Sequence, residues 1–527
     1  MNRHHNNDLL SRPTYRSHPD HLKHIGVGKP SKTFRPSLIT LLLLLIPSLL
    51  LASPEDVASY VSARHDRDTG GYRMELGEAP ATLAATNAAM RALRYAGVEL
   101  SDLSAQRRFL LSHFDESEAA FVETGAAGPD TMANAMGLML MAELGLPENR
   151  RALAAKEWLV EHAASEDETY MALAGMAVMG VADELPATWL RDAMDLAQDD
   201  SATAYRRARA AISCMRCGLN LPSYERFVPP FTAALEDLLK REAWKETAGL
   251  QEIYTFARAL LMMDGRADLV PAIDTAASLD ANPSLGTVYR FAVLEAWRPK
   301  LAGELRVAVC TGFAPVGYRE DGGGIVGMDP DLMRAFATEH GYRLHLVEQA
   351  KFDGIWRLPA RGAIDLALSG ISKRIDRLAP GIRWSYPYFE VDRSLSILKE
   401  NADRFRTVAD LGGMKVAVTA GTTGEFDVRD RNPNALTVPY DNEEAAIADL
   451  LAGKVHALAR GDVSNRWDAL QHAELAVIDV HPMDPPEEFV VAVADDRVAL
   501  GQKLDRFLRE ARKSGRLGEI FKRYLAP

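Results

Sequence analysis

The hydrophobic pattern of this chain changes character at one place, between Pro299 and Glu304. Before it, apolar residues recur at helical spacing in a region rich in Ala, Leu and Met, with Gly and Pro mostly at loop positions. After it, short apolar strands alternate with amphipathic helices, the mark of an α/β fold. A chain of 527 residues also exceeds what one domain accommodates. The expected organisation is therefore multidomain, an all-α region over 54–300 followed by an α/β region over 304–527.

In the second region, Leu305–Val309 reads as a strand and Thr311–Pro315 as a loop. Gly327–Gly341 reads as a helix, with acids in its first turn and a glycine stop. Tyr342–Val347 is a strand, Asp353–Arg361 a helix and Ile364–Leu368 a strand. That last strand opens into the polar turn Ser369-Gly370-Ile371-Ser372, and Arg377 follows five residues after the second serine. Hydroxyls, free N–H groups and a guanidinium so close together can hold a carboxylate, because the planar fork of Arg meets it through two parallel hydrogen bonds. A surface turn with a solvated Arg is the plainer alternative. Further on, Gly421-Thr422-Thr423 precedes a helix whose N-terminal N–H groups would offer a second anion contact, a role compatible with simple capping.

These elements resemble the polar amino-acid family of periplasmic solute-binding proteins, a type II fold of two lobes. The resemblance covers the whole of 304–527. In order it rests on the Phe-Ala-Pro loop, Gly327-Met-Asp-Pro-Asp-Leu332, Lys351-Phe-Asp-Gly-Ile355, Ile364-Asp-Leu366, Ser369–Ser372 with Arg377, and Trp384-Ser-Tyr-Pro-Tyr388. It continues through Asp410–Val418, Gly421–Glu425, Leu451–Leu458 and Gly515–Tyr524. It implies lobe one over about 304–398 and 493–527, and lobe two over about 399–492. It also implies that Phe313 and Phe352 sandwich the apolar part of a ligand. Ser369, Gly370, Ser372 and Arg377 would grip its carboxylate, with Thr422 and Thr423 assisting from lobe two. An Asp usually holds the ligand's ammonium after the Gly-Lys-Val segment. Here Gly461 fills that slot and Asp462 comes one residue later, so Asp462 reaches the ligand only through a bulge. Cys310 stands where binders of cationic amino acids often carry an acid, which disfavours a Lys- or Arg-like ligand.

The same two-lobed fold serves cyclohexadienyl and arogenate dehydratases, and Ser369–Ser372 is close to them. Such a lyase needs a general acid in the cleft. By resemblance the acid directly follows the Gly-Thr-x triplet. Gly424 occupies that position, and one residue along a helix turns Glu425 by about 100°. Non-catalytic binding is thus the leading expectation and the lyase the alternative. Some cell-wall lytic enzymes carry this module too, but with a further catalytic domain after it.

Within 54–300, Tyr60–Arg73 aligns without gaps over Phe109–Val122 at an offset of 109 − 60 = 49. Thr82 falls over Thr131 at the same offset. A fixed period in this range indicates stacked helical hairpins. The pattern Gly-Gly-Tyr, a loop, then Thr82-Leu-Ala-Ala-Thr-Asn-Ala-Ala-Met-Arg-Ala-Leu93 resembles the α/α toroids of terpene cyclases and prenyltransferase β-subunits. Their chemistry does not carry over: there is no Asp-x-Asp-Asp motif, Asp199-Asp200 closes a polar loop, and no Asp, Cys and His set suits zinc. Cys214-Met-Arg-Cys217 is a lone pair in a helical stretch, short of the four ligands of a structural zinc site. No cofactor and no metal are expected.

Residues 1–36 form a basic tail, and 37–53 centre on an aliphatic run from Leu38 to Leu51. The run is shorter than the ~20 residues that span a bilayer comfortably. It reads as a secretory signal peptide or, over 38–52, as a membrane anchor. Either places the remainder in the periplasm or otherwise outside the cytoplasm. A net charge of −12 argues against nucleic acid as the main partner. The expected partners are an amino acid or organic acid, and an ABC permease or an envelope protein.

Overall fold

Short polar side chains start the helices of the first region. Thr82, Asp130, Asn149, Thr203 and Ser284 each accept a hydrogen bond from a backbone N–H of the first turn, and Ser165 forms a capping box with Glu168. The structure, a computed structural model, describes residues 54–525 apart from 180–184, 220, 222, 270–282, 321, 378, 380, 442 and 480–486. The basic tail and the apolar segment 37–53 lie outside the described residues. No helix among the described residues is long and apolar enough to cross a membrane.

The region 54–301 is helical, with α1 (Pro54–Ser62), α2 (Leu83–Tyr95), α3 (Ser104–Ser112), α4 (Thr131–Glu143), α5 (Arg150–His162) and α6 (Glu166–Val178). It continues with α7 (Ala187–Gln198), α8 (Ala204–Arg216), α9 (Val228–Lys240), α10 (Thr247–Met262) and α11 (Leu285–Leu301). Helix α2 packs on α4, α4 on α6, α6 on α8, α8 on α10, α10 on α11, and α11 returns to α2, a closed cycle. The remaining helices each pack on one or two members of it. Burial follows this division: α2 buries ten of its 13 residues, α7 only Ala197. The aligned segments share a bridge at the same offset. His65 pairs with Tyr72, and β1 (Phe114–Asp115) pairs with β2 (Ala120–Phe121) through Phe114 and Phe121. Each bridge is tied to the next helix, Tyr72 N–H to the Thr86 hydroxyl at 3.0 Å and Phe121 N–H to Asn134 Oδ1 at 2.9 Å.

Helix α11 runs through Pro299 to Leu301, and Gly303, at φ +91°, turns the chain into β3 (Glu304–Cys310). The following elements are β4 (Gly312–Phe313), β5 (Gly317–Arg319), β6 (Ile325–Val326), α12 (Met328–His340), β7 (Arg343–Gln349), a 3-10 segment Ile355–Arg361, β8 (Leu366–Ser372), β9 (Ile382–Trp384) and β10 (Phe389–Val391). Then come β11 (Arg393–Leu398), β12 (Lys415–Thr419), α13 (Thr423–Arg431), β13 (Leu436–Tyr440), α14 (Glu443–Leu451), β14 (Ala457–Gly461), α15 (Asp462–Gln471) and β15 (Leu475–Asp479). The last are β16 (Glu487–Ala494), α16 (Val498–Lys513) and α17 (Arg516–Phe521).

Two sheets define two lobes. Lobe one has the order β10-β16-β8-β3-β7, with β9 also on β16, and lobe two the order β13-β12-β14-β11-β15. The chain crosses between them at Asp392 and again between Asp479 and Glu487. These crossings correct the expected lobe boundaries. Residues 393–398 were expected in lobe one but pair with β14 and β15 of lobe two. Residues 487–492 were expected in lobe two but pair with β8 and β10 of lobe one. β11 mixes Arg393, Ser394 and Ser396 with apolar residues and β16 is a continuous apolar run from Phe489 to Ala494, and neither pattern says which sheet completes the strand.

Lobe one is fixed to the helical region by buried charge. Asp264, in the loop after α10, pairs with Arg497 at 3.2 Å and Lys503 at 2.6 Å, and accepts from the Tyr342 hydroxyl at 2.5 Å. Asp365 pairs with Lys300 of α11 at 3.2 Å and with Arg497 at 3.3 Å. Lys300, Asp365 and Arg497 are at most 1% exposed, so water screens these charges little.

Candidate functional site

Between the lobes, Phe313, Phe352, Gly370, Ser372 and Arg377 of lobe one meet Thr422 and Thr423 of lobe two around one small cavity. Its volume is about 20 Å³, room for roughly one water. The lobes stand closed. Lys351 pairs across the mouth with Asp441 at 3.0 Å, and Tyr318 meets Trp467 at 6.0 Å between ring centres.

The turn after β8 is built by a buried acid. Asp329 of α12 is fully buried and accepts from Gly370 N–H at 3.0 Å and the Tyr388 hydroxyl at 2.7 Å. Burial pushes its carboxyl up to about 7, against the pull of those two donors. Gly370 lies at φ +60°, and a Cβ there would stand 2.7 Å from the Phe313 ring and 3.0 Å from Phe489. Only glycine lets the backbone pass so close to both rings.

Arg377 carries the charge of the site. It is 2% exposed. Its guanidinium donates to the carbonyl oxygens of Ser372 at 3.3 Å and Gly421 at 2.7 Å, one from each lobe. It lies 5.4 Å from the Phe352 ring and 4.8 Å from the Trp356 ring, within cation–π range. No carboxylate lies within ion-pair distance of it among the described residues. Burial pushes it down to about 10, with nearby Glu487 opposing.

The Glu487 carboxylate, at the start of β16, occupies the middle of the site. It accepts from the Ser372 hydroxyl and, at 2.7 Å, from the Thr423 hydroxyl, and it pairs with Arg393. Burial raises it above the usual Glu range, with Arg393 pulling the other way. Deeper in lobe two, Arg460 pairs with both Glu443 and Asp468 and donates to Asn465 Oδ1 at 2.7 Å. Burial pushes Glu443 up to about 7, with Arg460 opposing. Across the lining, Arg393 and Arg460 are neutralised within the protein and Arg377 is not.

Two expected residues stand outside this cavity. Ser369 is fully buried in β8; its hydroxyl accepts from Cys310 N–H at 2.7 Å and donates to the Leu368 carbonyl, holding β3 to β8. Strand alternation turns it away from the neighbouring Ser372 contacts. Asp462 opens α15, where it accepts from Asp392 N–H at 3.2 Å and faces Arg466, so no bulge brings it to the cleft. Thr422 caps nothing with its side chain; its hydroxyl donates to the Thr419 carbonyl at 2.7 Å. Arg393, Glu443, Arg460 and Glu487 were missed from the sequence. Each lies in or beside a strand or helix start, and only tertiary pairing marks it as lining a cleft.

The slot of the lyase acid is closed. A Cβ on Gly424 would stand 2.5 Å from the Ala459 carbonyl oxygen, and Glu425 is engaged by Gly421 N–H at 2.9 Å. Cys214 and Cys217 are free thiols that burial pushes up to about 12 and 11. Among the described residues no group of His, Cys, Asp and Glu is arranged to hold a metal ion.

Residues 305–527 match the model of the bacterial extracellular solute-binding proteins, family 3. The cyclohexadienyl dehydratase of Pseudomonas aeruginosa is 27% identical over 229 residues, 42% of this chain and 83% of that protein. The ABC transporter arginine-binding protein 1 of Escherichia coli is 27% identical over 201 residues, 37% of this chain and 80% of that protein. The ABC transporter glutamine-binding protein GlnH of Bacillus subtilis is 25% identical over 209 residues, 38% of this chain and 74% of that protein. The segment Leu305–Pro527 is thus similar, over its whole length, to the bacterial extracellular solute-binding proteins, family 3.

Proposed function

We propose that residues 304–527 bind a small carboxylate-bearing solute, an amino acid or an analogue of one, outside the cytoplasm. The supporting observation is Arg377, a guanidinium buried between the lobes, flanked by aromatic rings and held only by carbonyl oxygens. A buried charge without a counter-charge is costly, and an incoming carboxylate relieves that cost through the bidentate geometry Arg favours. With Gly461 in the ammonium slot and Asp462 directed elsewhere, the lining offers no acid free of an arginine among the described residues, which favours an organic acid or neutral amino acid over a cationic one. Supply of an ABC permease, or sensing, is the role in keeping with the relatives. Secretion or anchoring through 38–52 belongs to the same reading. The helical region is read as an α/α toroid that docks on a partner or the envelope; its closed helical cycle and the 49-residue offset support this.

Calorimetric screening of the full chain against amino and organic acids tests the proposal. One acid is expected to bind, and Arg377→Ala to abolish it. Binding unchanged by that substitution would overturn the site. A dehydratase on the same fold is the competing reading, favoured by the Pseudomonas relative and opposed by the closed slot at Gly424. Turnover of prephenate by decarboxylative dehydration would establish the lyase instead.

A further inference from the structure

A second cluster of charge lies where the helical region meets lobe one, away from the cleft. The C-terminal parts of α2, α8 and α10 bring Arg91, Arg94, Arg216 and Arg258 to one cavity, and Asp495 and Asp496, just after β16, line it from the other side. It has two adjoining chambers of about 260 and 420 Å³ that share Arg258, Asp495 and Asp496. Either volume suits a small metabolite.

The charges on the two walls differ in how they are satisfied. Arg91 and Arg94 share Glu143 at 3.5 and 3.1 Å. Arg258, 9% exposed, donates to the Tyr254 hydroxyl at 2.9 Å, but its Nε has no partner among the described residues. Arg216 has two buried nitrogens, Nε and Nη1, without a partner there. On the facing wall, Asp496 Oδ1 is buried and equally unpartnered among the described residues. Neither Asp495 nor Asp496 forms an ion pair with any of these arginines among the described residues. The positive wall makes itself felt locally: burial favours the neutral Tyr254 phenol, yet Arg258, Arg91 and Arg216 pull it down to about 7.

The unpartnered nitrogens of Arg216 and Arg258 and the unpartnered Oδ1 of Asp496 thus line one cavity with no direct bond between them among the described residues. A simple anion satisfies one wall and is repelled by the other. A molecule with a carboxylate at one end and an ammonium at the other satisfies both. We propose that this cavity is a second binding site, specific for a small zwitterion of amino-acid or dipeptide size, its carboxylate on Arg216 and Arg258 and its ammonium on Asp495 and Asp496. The segment Ile355–Arg361 lines this cavity through Arg357, Pro359, Ala360 and Arg361, and the same segment sets Trp356 against Arg377 of the cleft.

Calorimetry on the full chain carrying Arg377→Ala, which disables the cleft, isolates this site. The probes are glycylglycine and the proteinogenic amino acids, with succinate and inorganic phosphate as anion-only probes. If that chain does not fold, the wild-type chain is used and the second step of a two-site isotherm is read. A zwitterion is expected to bind once per chain with a Kd below about 1 mM, and Arg216→Met and Asp496→Asn each to weaken it at least about tenfold. The two substitutions lie on opposite walls, so failure of one variant to fold leaves the other to decide. Absence of any zwitterion binding, binding that survives both substitutions, or succinate or phosphate binding indifferent to Asp496→Asn would each overturn the proposal.

Discussion

The Thr423 hydroxyl, at the first residue of α13 in lobe two, donates to the Glu487 carboxylate of lobe one at 2.7 Å. The same carboxylate accepts from Ser372 and pairs with Arg393. A side chain of the protein thus sits on hydroxyls that would otherwise serve a solute's carboxylate, and places a negative charge near Arg377.

Affinity for a carboxylate solute is accordingly expected to rise as pH falls from neutral. Burial raises Glu487 above the ordinary Glu range, so on acidification it takes up a proton before a solute carboxylate of ordinary pKa does, and the repulsion falls while the solute stays ionised. Glu487→Gln should flatten the dependence and tighten binding at pH 7.5 by several-fold. Calorimetric titration across pH checks this; an unchanged slope in the variant would count against Glu487.

Arg377→Ala is expected to cost about 2–5 kcal/mol of solute binding, the range for removing one side of a buried charge pair. Folding stability should change far less than binding, because the guanidinium holds only two carbonyl oxygens, Ser372 and Gly421. Isothermal calorimetry and urea denaturation of the same preparations separate the two effects.

Asp329 predicts a pH dependence of stability of definite sign. Its folded value of about 7 stands above the ordinary 3.8. Below pH ~4 both folded and unfolded chains hold the proton, and between ~4 and 7 only the folded chain does. Stability therefore falls as pH rises through that window, by up to about 4 kcal/mol from this group. The difference between wild type and Asp329→Asn, measured by urea denaturation from pH 4 to 8, should narrow the slope; parallel curves would exclude the assignment.

Arg497→Met should leave Asp264 to Lys503 and the Tyr342 hydroxyl and Asp365 to Lys300, removing the cation that joins both acids at the junction of the helical region and lobe one. Loss of one member of a buried pair costs about 3–5 kcal/mol. Scanning calorimetry is expected to show a lower and broader transition, with the helical region and the binding lobes uncoupled. A single sharp transition at the wild-type temperature would contradict the role given to Arg497.

Local chemistry made much of this protein legible in its sequence. The change of periodicity near Pro299 separates helices from α/β units because a 3.6-residue and a 2-residue repeat bury different faces. The turn at Gly370 and the start of α13 announce themselves through residue type and spacing, and Phe313, Phe352, Ser372, Arg377 and Thr423 meet at one cavity. Tertiary structure decided what local pattern leaves open. It assigned 393–398 and 487–492 to their sheets, since a strand's own apolar pattern is the same whichever strands lie alongside. It turned Ser369 into a strand tie and Asp462 onto a helix start, because one residue of register selects the face. It also brought Glu487 to the centre of the site, 64 residues from Thr423 and 115 from Ser372. A carboxylate and hydroxyls so distant in the chain become partners only when the strands and lobes that carry them come together.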